Sequence, residues 1–354
     1  MTPPRILECT LRDGSYAINF QFTAADTSVI VGALEDVGFD LIEVGHGIGL
    51  GASERGMGVA AETDETYMKA TAETLRKAAW GMFCIPGIAT LDHIDMAADH
   101  GMTFIRVGTN VTEVDQAKPF IERAIAHGMT VYANFMKSYA SPPEEFAALT
   151  ARAAGFGVDA VYLVDSAGGM FPDDIRRYVD AVRQRTAVAL GFHGHHNLGM
   201  GVANALAAAE AGVAIIDSSL QGFGRSSGNT PTEQLLCALE RRGLAVGIDP
   251  IRVMDIGEKY IQPLIDARGH NSIDTVSGYA QFHSSYMGVI REFASKYRID
   301  PRRLIIAICA VNKVDAPRDL VEQLAARLAA EAALNEPLTS RFHLERYHGA
   351  EQGS

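Results

Sequence analysis

The sequence predicts an α/β fold, a closed (β/α)8 barrel followed by a helical C-terminal extension. Eight short apolar segments alternate with segments of helical periodicity, at a mean period of about thirty residues. The short segments are apolar throughout, as is typical of parallel strands buried on both faces. Polar residues collect where these segments end, which is where barrel enzymes place their active sites. Eight units over about 240 residues fit a closed barrel better than an open doubly wound sheet.

The elements follow one another from the N-terminus. The first strand lies in RILECTLRDG (5–14) and stops at Asp13-Gly14. The first helix is predicted over 22–38, with Thr23 as its N-cap. The other strands are predicted at 40–44, 81–85, 103–108, 130–135, 160–165, 187–193 and 214–220. The other barrel helices are predicted at 63–78, 89–100, 113–127, 142–156, 172–184, 198–211 and 231–242.

The alternation of predicted strands and helices stops after Gly243, and two domains are predicted. Residues 1–245 would form the barrel, which is the catalytic domain, and residues 246–354 the helical extension. Apolar helical faces in the extension are predicted in 254–266, 279–297 and 317–332.

Net charge, apolar runs and cysteine spacing argue against a nucleic-acid-binding, membrane-spanning or disulfide-bonded protein. The net charge of −12 over 354 residues argues against a nucleic-acid surface. The sequence has no apolar run of membrane-spanning length and no charged-then-apolar leader, which predicts a cytoplasmic protein without a membrane partner. The four cysteines are scattered and form no CxxC pair, so we expect reduced thiols in the core rather than disulfides.

The stretch GFHGHHN (191–197) predicts a metal site at the end of the seventh strand. On an extended segment alternate side chains share a face, so His193 and His195 would point the same way. Two imidazoles need an acidic third ligand, and barrel closure would bring Asp13 near them. This set would suit Mn²⁺, Mg²⁺, Co²⁺ or Zn²⁺. The alternatives are a turn aspartate before a glycine and histidines that only hydrogen-bond at a strand end.

Other polar residues share the strand ends. Arg12, if buried there, needs an anion such as a developing enolate or a substrate carboxylate; the alternative is a surface salt bridge. The full set of polar residues at predicted strand ends is Arg12, Asp13, Glu43, His46, Arg106, Asn134, Asp165, Ser166, His193 and His195.

Two glycine-rich loops follow strands. The loop QGFGRSSGN (221–229) could cradle a phosphate, or pass close to the metal with Asn229 as an outer or weak ligand. The stretch HGIGLGASERGMG (46–58) is either a mobile loop over the site, with His46 facing substrate, or a surface loop.

Five motifs together resemble the metal-dependent pyruvate aldolases, the 4-hydroxy-2-oxovalerate (4-hydroxy-2-oxoacid) aldolases of the DRE-TIM metallolyase superfamily. That superfamily also holds isopropylmalate synthase, HMG-CoA lyase and the carboxyltransferase domain of pyruvate carboxylase. The resemblance is strong over about residues 5–245 and weaker through SGYAQFHSSYM (277–287). HxHHN, rather than the HxHND of acyl-CoA condensing members, favours the aldolases. The motifs are ILECTLRDGSY, EVGHGIGL, VDSAGG, GFHGHHNLGMGVANA and GFGRSSGNTPTE.

The resemblance implies a divalent-metal-dependent lyase that cleaves or forms a 4-hydroxy-2-oxo acid, with pyruvate enolate and an aldehyde as the two parts. It implies Asp13, His193 and His195 as metal ligands, with manganese expected first. It also implies Arg12 as the residue that stabilises the enolate and Ser166 as a neighbour of the bound oxygens. A homo-oligomer and an acylating aldehyde dehydrogenase subunit are the protein partners that it suggests.

The sequence departs from the family where catalysis needs a base. Tyr16 stands in DGSY where the aldolases carry a histidine, and an unperturbed tyrosine is a poor base at neutral pH. Its role is either packing and a hydrogen bond to substrate or acid–base chemistry. Ile48 replaces an acidic residue of the HGDGL loop. Tyr279 keeps a family tyrosine, while His283 replaces an aromatic residue and could supply the missing proton shuttle.

Two other functions stay open at the level of sequence. One is a Claisen-type synthase or lyase that uses an acyl-CoA, against which the absence of HND counts. The other is a non-catalytic ligand-binding barrel that serves as a partner subunit.

Overall fold

The computed structural model describes residues 2–265 and 272–334, which form a closed (β/α)8 barrel, or TIM barrel, with further helices after it. All eight strands are parallel and follow the order of the sequence around the barrel, so the predicted fold class is confirmed. The strands are β1 Arg5–Glu8, β2 Leu41–Glu43, β3 Ala79–Cys84, β4 Phe104–Asn110, β5 Thr130–Met136, β6 Ala160–Asp165, β7 Ala189–Gly194 and β8 Ile215–Ser218.

Each strand is followed by a helix that packs on the outside of the barrel. These helices are α1 Ala24–Val37, α2 Asp64–Thr74, α3 Leu91–Asp99, α4 Lys118–Ala126, α5 Pro143–Ala154, α6 Pro172–Arg183, α7 Gly201–Glu210 and α8 Thr232–Arg241. The Thr23 cap is confirmed, because its hydroxyl accepts from the Asp26 backbone N–H and the Asp26 carboxylate accepts from that of Thr23.

Closure of the barrel determines which strand ends meet. β1 pairs with β2 on one side and with β8 on the other, where Leu7 lies opposite Asp217. β8 pairs in turn with β7, where Phe192 lies opposite Ile216. The residues after β1 therefore lie beside the ends of β7 and β8, as the barrel prediction requires.

The helices beyond the barrel differ in detail from the prediction. They are α9 Pro250–Ile256, α10 Ser272–Ala280, α11 Met287–Tyr297, α12 Pro301–Val311 and α13 Arg318–Leu334. The expected continuous face over 279–297 is wrong: it spans two helices, which a bend with Gln281 at φ +60° separates. α12 lies within the extension that was predicted to be helical, although no apolar face was assigned there. Residues 335–354 of the predicted extension lie outside the described residues.

Apart from a small cluster of strand residues that includes Leu7 and Phe104, the described chain has two hydrophobic cores. The barrel core extends as far as Ile261, through α9 and the turns after it. A separate core begins at Ile273 and includes Ile290, Leu304 and Val321 from three of the last helices. The change of core therefore lies between residues 261 and 273, later than the boundary at 245, which stays a prediction.

Two compositional predictions bear on the described residues. All four cysteines are free, and Cys9, Cys84 and Cys309 are buried, as reduced core thiols would be. No helix within residues 2–265 and 272–334 combines the length and the apolar character needed to cross a membrane.

Candidate metal centre and active site

Asp13, His193 and His195 lie together at the carboxyl ends of β1 and β7. Their ligand atoms all lie within 4.8 Å of one another, and His193 Nε2 is 3.8 Å from Asp13 Oδ2. The two imidazole rings lie edge to face, with centroids 5.1 Å apart. All three side chains are buried. The structure thus brings together the three side chains that the sequence singled out.

In each of the two histidines, Nδ1 lies within hydrogen-bond distance of an acceptor oxygen. His193 Nδ1 lies 2.8 Å from Asp217 Oδ2, and His195 Nδ1 lies 3.2 Å from the Gly228 carbonyl oxygen. A carbonyl oxygen only accepts, so Nδ1 of His195 carries the hydrogen and its Nε2 presents a lone pair. The carboxylate fixes His193 in the same way. Metal-binding histidines show this arrangement, so the donor set fits a divalent cation.

Asp13 is held in its ionised form. Arg12 Nη1 donates to Asp13 Oδ2 over 2.5 Å, and Asn229 Nδ2 donates to Oδ1 over 3.0 Å. Burial by itself would raise the pKa of the Asp13 carboxyl, but Arg12, His195 and His193 hold it well below its usual range. The carboxylate is therefore available as an anionic ligand. Asn229 contacts the ligand through its nitrogen, while its Oδ1 has no hydrogen-bond partner among the described residues.

A chain of buried charges links the ligands beneath the site. Glu43 Oε2 accepts from Arg12 Nε and from Arg106 Nη1, both at 2.8 Å. Arg106 Nη2 lies 2.6 Å from Asp217 Oδ2, the oxygen that holds His193. Arg106 and Glu43 are fully buried, so the network replaces the water that these charges would otherwise require.

Arg12 is buried rather than part of a surface salt bridge. Its side chain contacts Glu43, Asp13 and the Gly47 carbonyl oxygen, and its guanidinium carbon lies 4.8 Å from the centre of the Phe83 ring. Glu43 and Asp13 raise its pKa despite the opposing effect of burial, so Arg12 is a permanent cation beside the ligand set.

Arg225 reaches the ligand set from the loop after β8. Its Nη2 donates to His195 Nε2 over 2.8 Å and to the Ser166 carbonyl oxygen over 3.2 Å. Its Nη1 donates to Ser284 Oγ over 2.6 Å. From the sequence this loop was interpreted through its glycines alone, and Arg225 was not predicted to be a site residue. A signal was present: this is the only charged residue in QGFGRSSGN.

Glycines let the loop after β8 fold back on itself. Gly228 has φ +90°, and a Cβ there would lie 2.0 Å from the Gly222 carbonyl oxygen. A Cβ at Gly224 would lie 2.4 Å from Asn229 Nδ2. The glycines therefore allow the close approach of the chain to the ligands, which was one of the two predicted uses.

Tyr16 and His283 lie near enough to Arg225 and Asp13 for these charges to act on the pKa values of both side chains. Tyr16 packs edge to face on Phe20, with centroids 5.1 Å apart, and burial raises the pKa of its hydroxyl to about 12. Burial, with Arg225 and Lys137, lowers the pKa of His283 well below its usual value. Ser285 contacts the His283 Nδ1, with its hydroxyl 2.7 Å away. Tyr16 is therefore protonated and His283 neutral near pH 7.

Three other predicted site residues have different surroundings. Ser166 Oγ accepts from the Lys137 backbone N–H over 2.9 Å, next to the Arg225 contact. His46 uses both ring nitrogens inside its own loop, on Gly58 and Ile48, and stacks on Phe20. Its assignment to substrate gains no support from this geometry.

Tyr279 is 70% exposed on α10, and no described contact joins it to the ligand set. The structure does not bring it to the site, so the expected catalytic role for it also gains no support. The C-terminal helices contact the site and its loops instead through residues 283–286 and through Asp274, which accepts from Asn197 and Ser226.

Comparison with known proteins bears on all but the last part of the chain. The family model described as HMGL-like matches residues 3–259. A 4-hydroxy-2-oxovalerate aldolase of Carboxydothermus hydrogenoformans is 36% identical over 328 residues, 92% of this chain and 97% of the relative. An oxaloacetate decarboxylase of Mycobacterium tuberculosis is 43% identical over 252 residues, 71% of this chain and 74% of the relative.

Among solved structures, the carboxyl transferase domain of Rhizobium etli pyruvate carboxylase superposes with a TM-score of 0.76 at 16% identity. The superposition covers 93% of this chain and 60% of that one. At this identity the likeness concerns the fold alone.

Proposed function

The chain belongs to the HMGL-like family, and on that premise we propose that it is a divalent-metal-dependent aldolase for 4-hydroxy-2-oxo acids. The observation that carries this proposal is the cluster of Asp13, His193 and His195 with Arg12 beside it, at the carboxyl end of the barrel. The aldolase relatives, at 34–37% identity over more than nine-tenths of the chain, support carbon–carbon cleavage as the reaction.

Asp13, His193 and His195 would hold the cation, with manganese our first choice among divalent ions that accept one carboxylate and two imidazoles. A bound cation would supply a Lewis acid for the keto and carboxylate oxygens of a 2-oxo acid. Arg12 places its cationic side chain within 2.5 Å of the Asp13 carboxylate, so it can stabilise negative charge that develops on the pyruvyl part.

His283 is the proposed base and Tyr16 the proposed hydrogen-bond donor. In the tautomer that a base requires, His283 Nδ1 carries the hydrogen and donates it to the Ser285 hydroxyl 2.7 Å away, instead of accepting from the Ser285 backbone N–H. Nε2 then presents its lone pair, and it has no hydrogen bond among the described contacts. The proton of the 4-hydroxyl would move to that nitrogen, and the C3–C4 bond would break to release the aldehyde. The electron pair would remain on the pyruvyl part as the enolate, and C3 would then be protonated. Tyr16, which keeps its proton, would donate to a substrate oxygen.

Decarboxylation of a 2-oxo acid that carries a second carboxylate on carbon 3, such as oxaloacetate, is a second candidate reaction. It passes through the same enolate but breaks a bond to CO₂, so no hydroxyl proton has to be removed. Tyr16, with its pKa raised to about 12, suits that requirement better than it suits a base. The relative from Mycobacterium tuberculosis, at 43% identity, carries the name of such an enzyme.

The broader predictions remain proposals. They are a cytoplasmic homo-oligomer, an acylating aldehyde dehydrogenase as partner, and a functional domain boundary near residue 245. The acyl-CoA condensing reaction and the non-catalytic barrel have no described contact in their favour.

Exchange of the pyruvate methyl hydrogens in D₂O tests the enolate chemistry. We expect metal-dependent exchange, followed by proton NMR, that is lost in Asp13→Asn and His195→Ala. His100→Ala, at the C-cap of α3, is the matched control. Release of pyruvate from 4-hydroxy-2-oxovalerate and from oxaloacetate then separates the two reactions. No exchange with any divalent cation would reject the proposal.

A further inference from the structure

We propose that the preferred substrate is a dicarboxylic 4-hydroxy-2-oxo acid, whose second carboxylate, on the aldehyde fragment, is bound by Arg225. The inference rests on the proposed function, because it names the substrate class of the same site. It differs from that function in predicting which aldehyde leaves: one that itself carries a carboxylate.

Among the described residues, Arg225 is a cation that forms no ion pair. Its described hydrogen bonds go to a ring nitrogen of His195, a backbone carbonyl of Ser166 and a hydroxyl of Ser284, all of them neutral acceptors. None of the ion pairs among the described residues includes Arg225. By contrast, Arg12 and Arg106 are each paired with two carboxylates. A half-buried guanidinium without an anion is a site for one.

The contact with His195 makes Arg225 available when the cation site fills. Its Nη2 occupies the lone pair of His195 Nε2, which is the same lone pair that a cation would use. The two cannot share it, so a bound cation would free N–H donors of Arg225 beside the substrate. A guanidinium presents paired donors that match a carboxylate in geometry.

Lys137 adds a second positive charge on this side. It is only 3% exposed, and its Nζ donates to the Tyr286 hydroxyl at 2.8 Å and to the Val314 carbonyl oxygen at 2.5 Å. No described ion pair includes it either. Burial lowers the pKa of Lys137 to about 8, against the opposing effect of Asp315 and Glu113. Arg225 also lowers this pKa, so the two cations lie near each other. Bringing an anion between them would relieve that repulsion.

The position of His283 indicates which end of the substrate meets Arg225. His283 is the proposed base for the 4-hydroxyl, and it directly precedes Ser284, whose hydroxyl accepts a hydrogen bond from Arg225 Nη1. A group attached to carbon 4 would therefore lie next to the guanidinium. The pyruvyl end lies towards Arg12, whose charge Glu43 and Asp13 already balance. Arg225, which forms no ion pair among the described residues, thus lies at the variable end of the substrate.

Binding of two unreactive analogues tests the proposal directly. 2-Oxoglutarate and 2-oxovalerate have five carbons each, lack the 4-hydroxyl, and differ only in a terminal carboxylate or methyl. In calorimetric titrations of the manganese-loaded protein we expect 2-oxoglutarate to bind about 10- to 100-fold more tightly. The ratio should fall to about one in Arg225→Gln and keep an intermediate value in Arg225→Lys.

Controls separate recognition from damage to the fold. Ser227→Ala, an exposed position in the same loop, should keep the wild-type ratio, and circular dichroism should show all variants folded. A ratio near one in the wild type, or a ratio that survives Arg225→Gln, would overturn the proposal. A ratio that is lost in Lys137→Gln and kept in Arg225→Gln would also overturn it, since the carboxylate would then bind Lys137.

A kinetic arm distinguishes this inference from the proposed function. 4-Hydroxy-2-oxoglutarate should be cleaved with a higher kcat/KM than 4-hydroxy-2-oxovalerate, its methyl counterpart. Pyruvate exchange without such a preference contradicts the dicarboxylate inference alone, whereas absence of exchange contradicts the proposed function. A preference confined to oxaloacetate would place the second carboxylate on the leaving CO₂ and so refute its assignment to the aldehyde fragment.

Discussion

The His193 imidazole donates its Nδ1 hydrogen to the Asp217 carboxylate over 2.8 Å. The same oxygen lies 2.6 Å from Arg106 Nη2, so one carboxylate orients a metal ligand and balances a fully buried arginine. This residue on β8 therefore determines which nitrogen of His193 faces the cation site.

Replacing Asp217 by Asn should weaken the binding of divalent cations about 10- to 100-fold, because the amide is a poorer partner for the imidazole N–H. Titration calorimetry with Mn²⁺ measures the change. Asp173→Asn, at a side chain that is 91% exposed, is the control. Unchanged affinity in Asp217→Asn would show that the contact does not orient the ligand.

Glu43→Gln should lower the free energy of unfolding by about 3–5 kcal/mol, because it leaves two buried arginines with less compensating charge. Denaturant titration followed by circular dichroism provides the measurement. Glu144→Gln, on the surface of α5, should change stability by less than about 0.5 kcal/mol. Equal effects of the two changes would contradict the proposed importance of the buried network.

Glu8 should make stability depend on pH. Burial raises the pKa of its carboxyl from 4.5 to about 7, so the folded state holds this proton more tightly than the unfolded state. The contribution of Glu8 to stability is therefore fully present below about pH 4.5 and is lost progressively as the pH rises through about 7.

Glu8→Gln has no proton to lose, so the comparison with wild type isolates this effect. From pH 5 to pH 8, wild type should lose up to about 3 kcal/mol relative to the variant. Denaturant midpoints at several pH values measure the difference. Parallel pH profiles for the two proteins would mean that Glu8 does not titrate in this range.

His283 and Tyr16 should differ in their effect on catalysis. His283→Ala should lower kcat for a 4-hydroxy-2-oxo acid by about 10²- to 10⁴-fold, which is typical for loss of a general base. Tyr16→Phe removes one hydrogen bond to substrate and should cost less. Steady-state assays of pyruvate release give both values, with oxaloacetate as a substrate that needs no base. Turnover that survives in His283→Ala and disappears in Tyr16→Phe would reverse the assignment.

The sequence predicts the barrel well because its strands are buried on both faces and are therefore apolar along their whole length. The segment 160–165 was predicted at the bounds that β6 has, since all six residues are buried and apolar up to the terminal Asp165. α12 lies in the extension that was predicted to be helical, but it was not assigned an apolar face of its own, because LIIAICAV is apolar almost throughout and shows no clear helical period. Asp300 and Pro301, which begin that helix, were the available signal.

The sequence predicted only those site residues whose proximity follows from the order of the strands around the barrel. Asp13 and His193 follow adjacent parts of a closed sheet, so counting strands brings them together. Arg225 meets His195 because the loop after β8 turns at Gly228 with positive φ, and that path is not encoded in hydrophobic periodicity. Asp217 was overlooked as one charge in an apolar strand, although the charged Arg106 within β4 was a natural counterpart.

The second hydrophobic core has a consequence for engineering this protein. Residues 283–286 approach the site from a region that packs on its own interior, around Ile290, Leu304 and Val321. Substitutions in residues 283–286 that change which aldehyde is accepted can therefore be made without altering the barrel. The barrel keeps the buried charges that hold the metal ligands. The same separation gives evolution two independent parts to vary.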